Sequence, residues 1–100
     1  MNHRFHYDSI RLELCARRWR VRRLEAFGSC LRPDFNAQSD IDLLVTFAEG
    51  ATWDLLDMVL LRQELEAIFG RSVDLVENGS IKNPFRLRTI LPDLEVLYAA

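Results

Sequence analysis

The chain has 100 residues, of which 49% are hydrophobic and 28% charged, and its formal net charge is −2. That length makes one domain, 1–100, with one modest core that buries roughly 60% of the unfolded surface. No apolar run approaches the roughly 18 residues that a membrane span needs, and Met1-Asn2-His3-Arg4-Phe5-His6 lacks a signal-peptide stretch, so no membrane partner and a cytoplasmic location are expected. Cys15 and Cys30 are too few for a disulfide framework and too far apart for a zinc knuckle; reduced thiols are expected, with His3 and His6 solvated.

Asp8-Ser9 offers N-cap oxygens for a first helix, with apolar positions at Ile10, Leu12, Leu14, Cys15, Ala16 and Trp19. Val21 to Phe27 reads as a strand ending at Gly28. Pro33, Asp34, Asn36 and Ser39 mark an irregular connection, with room for one helical turn after Ser29. Asp40 to Phe47 is the clearest strand: Ile41, Leu43, Val45 and Phe47 face one side, and Asp40, Asp42, Leu44 and Thr46 the other. Glu49-Gly50-Ala51 is a turn, after which Thr52 can cap a long helix running to about Phe69. Its expected buried stripe is Leu55, Met58, Val59, Leu61, Leu65, Ile68 and Phe69, and Gly70 suits C′. Val73 to Val76 is a short strand, followed by a turn at Glu77-Asn78-Gly79-Ser80. Asn83 can cap a last helix with Pro84 at its first position. Pro92 ends or kinks it, and Leu94 to Tyr98 forms a tail that packs back on the core. The order implies an α/β (α+β) fold, a small mixed sheet flanked by helices.

Charge is distributed unevenly. Residues 1–32 hold eight arginines against three acids, and residues 33–100 hold five basic residues against twelve acids. Arg17, Arg18, Arg20, Arg22 and Arg23 form the densest cluster. It reads either as a solvated face or as a docking surface for an acidic partner, for nucleic acid or for triphosphate. Only Trp19 interleaves with these arginines, so stacking on single-stranded nucleic acid has little support.

The acids carry the chemistry. Asp40 and Asp42 lie two apart on a strand, so both carboxylates leave one face. Like charges this close repel, and a bound divalent cation removes the penalty. Magnesium takes hard oxygen ligands, usually one or two carboxylates plus substrate phosphates. Asp74 sits in a similar apolar run and can join the site if its strand lies beside the first, either binding a second metal or taking a proton from an attacking hydroxyl. Gly28 lets backbone approach a ligand closely. Ser29 adds a hydroxyl and an N–H, Arg32 is placed to reach a phosphate, and Ser39 can add a hydroxyl contact. Each piece is common alone; Gly-Ser at a strand end, ten residues, then Asp-x-Asp and a later acid is specific as a set.

Phe27-Gly28-Ser29-Cys30-Leu31-Arg32 through Ser39-Asp40-Ile41-Asp42-Leu43-Leu44-Val45, with Val73-Asp74-Leu75-Val76, resembles the nucleotidyltransferase superfamily of the DNA polymerase β type. The resemblance covers about residues 20–98 and is closest to the minimal nucleotidyltransferases (MNT). The chain departs from the family at Pro33, where the family often has glycine; proline stiffens the loop there. By resemblance, Asp40, Asp42 and Asp74 are metal ligands and catalytic residues for one or two Mg2+. Asp74 also helps activate the acceptor hydroxyl, and Gly28 and Ser29 hold the triphosphate. The implied reaction transfers AMP from ATP to a hydroxyl and releases pyrophosphate. Many members are antitoxins that transfer AMP to a tyrosine of a HEPN-family toxin, and this resemblance implies such a toxin as acceptor and complex partner. Direct nucleic-acid binding is not expected. A second reading is an antitoxin that neutralises by binding alone, with a vestigial nucleotide site. A third is transfer to tRNA or an antibiotic, against which the expected absence of an acceptor domain counts unless a partner chain supplies one. The last is a plain α/β domain with an acidic patch.

Overall fold

The computed structural model describes residues 6–28, 36, 39–78 and 94–100. Asp8 opens the helix α1 (Ser9–Arg18). Its carboxylate accepts from the backbone N–H groups of Ile10 at 2.9 Å and Arg11 at 3.2 Å, satisfying two donors that the first turn leaves without helical partners. Arg17 and Arg18 in the last turn complement the helix dipole. Leu12, Cys15 and Ala16 are buried, whereas Ile10 and Leu14 are exposed. At about 100° per residue, Ile10 and Leu14 lie on the side of the helix opposite Leu12 and Ala16, so the buried stripe is narrower than expected. Burial pushes the Cys15 thiol pKa up, against the pull of Arg18.

The strands are β1 (Val21–Phe27), β2 (Ile41–Phe47), β3 (Val73–Glu77) and β4 (Glu95–Ala99), and the helix α2 (Leu55–Phe69) links β2 to β3. They form one sheet in the order β3-β2-β1-β4. β1 is antiparallel to both β2 and β4, and β2 and β3 are parallel. A parallel pair needs a crossover, which α2 supplies. The expected tail at Leu94–Tyr98 is instead a strand over Glu95–Ala99. It pairs Leu24 with Tyr98 and Ala26 with Glu95, covering backbone donors and acceptors that β1 would otherwise leave at a sheet edge.

α2 is capped by Asp54, not Thr52. Asp57 N–H donates to Asp54 Oδ1 at 2.8 Å, and Asp54 N–H donates to Asp57 Oδ2 at 3.0 Å. That reciprocal box needs an acceptor three residues after the cap; Asp57 provides one for Asp54, and Leu55 cannot for Thr52. Leu61, Leu65, Ile68 and Phe69 are buried, but Leu55 is 82% exposed. Leu55 lies in the first turn, about 120° round the helix from Leu61. Gly70 ends the helix at φ 70°, donating to the carbonyl of Glu66 at 2.8 Å.

Both helices pack on one face of the sheet. Ile41, Leu43 and Val45 of β2 join Leu24, Ala26 and Val73 against Leu12, Leu61 and Leu65. The other face carries Phe27, Leu44, Val76 and Leu94. Trp53 packs edge-on against Trp19 and Phe47 and donates its indole N–H to the Trp19 carbonyl at 2.9 Å. The expected last helix from Asn83 lies outside the described residues, as do Gly79 and Ser80 of the turn before it.

Candidate active site

Asp42 is the second residue of β2 and has partners on both sides, Phe27 of β1 and Asp74 of β3. Paired residues on neighbouring strands lie about 4.8 Å apart and point to one face. The Asp42 and Asp74 carboxylates therefore stand side by side, on the face away from α1 and α2. The flanking residues enforce this register: Ile41, Leu43 and Val45 each have 0% exposure, and a one-residue slip would drive Asp42 into the core. Asp74 is exposed and Asp42 half-buried, so solvent and substrate can reach both.

Gly28 follows β1 directly. Its φ is 69°, a region that L side chains rarely adopt, and a Cβ built on it would meet Asp42 Oδ2 at 2.5 Å. The end of β1 thus passes against the Asp42 carboxylate at a distance that only glycine permits. Asp40 immediately precedes β2, two positions before Asp42, and is exposed.

Ser39, expected to reach a nucleotide, takes part in a turn. Its Oγ accepts from Asn36 N–H at 3.1 Å, and its own N–H donates to the Asn36 carbonyl at 3.0 Å. Arg71, after α2, donates from Nη1 to the Asn36 carbonyl at 3.1 Å and the Ser39 carbonyl at 3.3 Å. Ile41 N–H donates to the Ser72 carbonyl at 3.0 Å. Glu66 Oε2 accepts from Val73 N–H at 3.0 Å, one residue before Asp74. Arg71 and Glu66 escaped the sequence reading because their partners are backbone groups, which leave no residue pattern. Ser29 and Arg32 lie outside the described residues.

Among the described residues, no group of three or more His, Cys, Asp or Glu side chains is gathered closely enough to hold a metal ion by itself. The donor set fits a different arrangement. Two or three hard carboxylates, open to solvent beside a glycine that admits a ligand, suit a magnesium ion that takes its remaining oxygens from substrate phosphates and water.

The arginine cluster is partly engaged within the fold. Arg17 pairs with Glu13 at 2.8 Å, Arg18 with Glu64, and Arg20 donates to the Glu49 carbonyl at 3.4 Å. Arg22 and Arg23 line a cleft of about 270 Å³ with Thr46 and Asn78. Thr46 lies four residues along β2 from Asp42, so this cleft is roughly 13 Å from the acidic end.

A family profile described as "Nucleotidyltransferase domain" matches residues 9–97. The chain belongs to that family. This nucleotidyltransferase is similar to the protein adenylyltransferase MntA of Thermococcus cleftensis, with 40% identity over 81 residues that make up 81% of this chain and 77% of that one. It also superposes on a solved structure provisionally assigned as a minimal nucleotidyltransferase, with 38% identity and a TM-score of 0.65, covering 86% of this chain and 84% of that one. A solved complex of a tri-AMPylated Shewanella oneidensis HEPN toxin with an MNT antitoxin contains a chain of the same fold, at 20% identity and a TM-score of 0.63, covering 92% of this chain and 70% of that one. The resemblance to the minimal branch and the small mixed sheet expected from the order of elements both hold. No described helix is long and apolar enough to cross a membrane.

Proposed function

We propose that this nucleotidyltransferase transfers AMP from ATP to a tyrosine hydroxyl of a HEPN-family toxin and thereby acts as its antitoxin. The observation that carries this reading is the register pairing of Asp42 with Asp74 beside Gly28. It gives two adjacent carboxylates at a point where a phosphate chain can approach backbone. The similarity to a protein adenylyltransferase and to a toxin-bound antitoxin fold supports the choice of acceptor.

Asp40 and Asp42, with Asp74, would hold magnesium, which when bound supplies charge neutralisation for the triphosphate and polarises the α-phosphate. Gly28 and Ser29 hold the phosphate tail, with Arg32 as a further cation and Ser39 at the loop end. Asp74, the most open of the paired acids, takes the proton as the acceptor oxygen attacks the α-phosphorus. The bond from that phosphorus to the bridging oxygen of the β-phosphate breaks, pyrophosphate leaves, and AMP stays on the acceptor. A positioned base contributes about 10²–10⁴-fold to such a step.

The test uses Asp42→Asn and Asp74→Asn proteins co-expressed with the toxin. Each variant should still bind the toxin, while growth protection and AMP on the toxin disappear. Full protection by Asp42→Asn, with no AMP on the toxin, would replace this reading with neutralisation by contact alone.

A further inference from the structure

The paired acids Asp42 and Asp74 are fixed by ladder hydrogen bonding on β2 and β3, but Asp40 is not. It lies outside β2, between the strand's first residue and a connection that begins at Gly28. Asp40 is flanked by two tethered neighbours. Its neighbour on one side, Ile41, is tied to Ser72 at 3.0 Å. On the other side, the carbonyl of Ser39, part of the peptide that leads into Asp40, accepts from Arg71 Nη1 at 3.3 Å. The same nitrogen reaches the carbonyl of Asn36 at 3.1 Å. Asn36 and Ser39 are themselves closed on each other by two reciprocal hydrogen bonds. One guanidinium thus grips both Asn36 and Ser39 and fastens them to the segment that leads into β3.

We infer that Arg71 is a positioning residue for the cation site: it sets where Asp40 stands relative to Asp42 and Asp74. The inference rests on the reading of those aspartates as the cation site. Arg71 acts at two levels. Its hydrogen bonds to two carbonyls fix the Ser39–Asp40 peptide, and so the origin of the Asp40 side chain. Arg71 and Ser72 also lie immediately before Val73 and Asp74, so the same short segment that pins Asp40 carries the start of β3. Asp40 and Asp42 lie on one segment and Asp74 on another more than thirty residues on, and Arg71 with Ser72 joins the two. A guanidinium suits the task because it is planar and always charged, and its Nη1 alone carries two N–H donors in fixed directions. Groups that orient metal ligands from behind typically govern 10–100-fold of metal affinity.

The test measures calorimetric binding of α,β-methylene-ATP, whose α–β link cannot be cleaved, once with Mn2+ and once with EDTA. Wild type, Arg71→Gln, Arg71→Lys and Arg62→Gln are compared well below their melting temperatures. Arg62 is an exposed arginine on α2, and its replacement removes the same charge without touching the turn. In Arg71→Gln, binding with Mn2+ should weaken tenfold or more while binding with EDTA stays unchanged. Arg71→Lys should recover part of the loss, and Arg62→Gln should match wild type. Equal weakening of Arg71→Gln binding with and without Mn2+ would make Arg71 a general structural residue and overturn the inference. So would Mn2+-dependent affinity in Arg71→Gln equal to wild type. If the wild type itself binds the analogue equally well with Mn2+ and with EDTA, the cation-site reading fails, and the role of Arg71 fails with it.

Discussion

Gly28 lies so close to Asp42 that no side chain fits at position 28 without moving the carboxylate. A Cβ at position 28 would stand 2.5 Å from Asp42 Oδ2, and the φ of 69° already disfavours any L side chain. Gly28→Ala is therefore expected to destabilise by about 1–2 kcal/mol from the backbone conformation alone. It should also push the carboxylate aside, and a misplacement of about 1 Å can cost on the order of 10²-fold in rate. Denaturant unfolding and AMP transfer, measured on one preparation, check both; unchanged transfer would show that the contact is dispensable. The glycine and the Asp40-Ile41-Asp42 pattern were visible in the sequence because they are local. Alternation along β2 told which side chains share a face, and the burial of Ile41, Leu43 and Val45 agrees with it. Arg71 could not be seen in that way, because it acts on the carbonyls of Asn36 and Ser39, and every residue has a carbonyl.

Among the elements, α2 does most to join the acidic residues, since it carries the chain from β2 to the parallel strand β3. Its start depends on the reciprocal Asp54–Asp57 box. Replacing such a cap by alanine costs about 1 kcal/mol, which for a chain of this size lowers the melting temperature by roughly 4–8 °C. Asp54→Ala should show that loss and retain AMP transfer, because the cap lies at the end of the sheet away from Asp42. An unchanged melting temperature would mean that the cap contributes nothing to the folded state. Choosing between Thr52 and Asp54 from sequence required noticing which of them has an acid three residues on. β4 was harder to foresee. The segment Glu95–Ala99 is too short to declare itself a strand alone, and what makes it one is pairing along the edge of β1, a property of the assembled sheet.

For the molecule as a whole, the order β3-β2-β1-β4 places β2 centrally, so its aspartate has neighbours on both sides. Asp42 and Asp74 are more than thirty residues apart in sequence, and each alone reads as an ordinary polar strand residue. Only the parallel register sets them opposite each other, and that register follows from the crossover and the buried face rather than from either acid. The resemblance to a known family indicated which acids belong together, and the sheet supplies the physical reason. The most direct measurement follows label from ATP to the proposed toxin, sought as whatever protein co-purifies with this chain, with ATP labelled at the α-phosphate in one reaction and at the γ-phosphate in another. AMP transfer requires label on the toxin from the α-phosphate only, lost in Asp42→Asn. Label from the γ-phosphate, or no label on a toxin that still forms a stable complex, would contradict it.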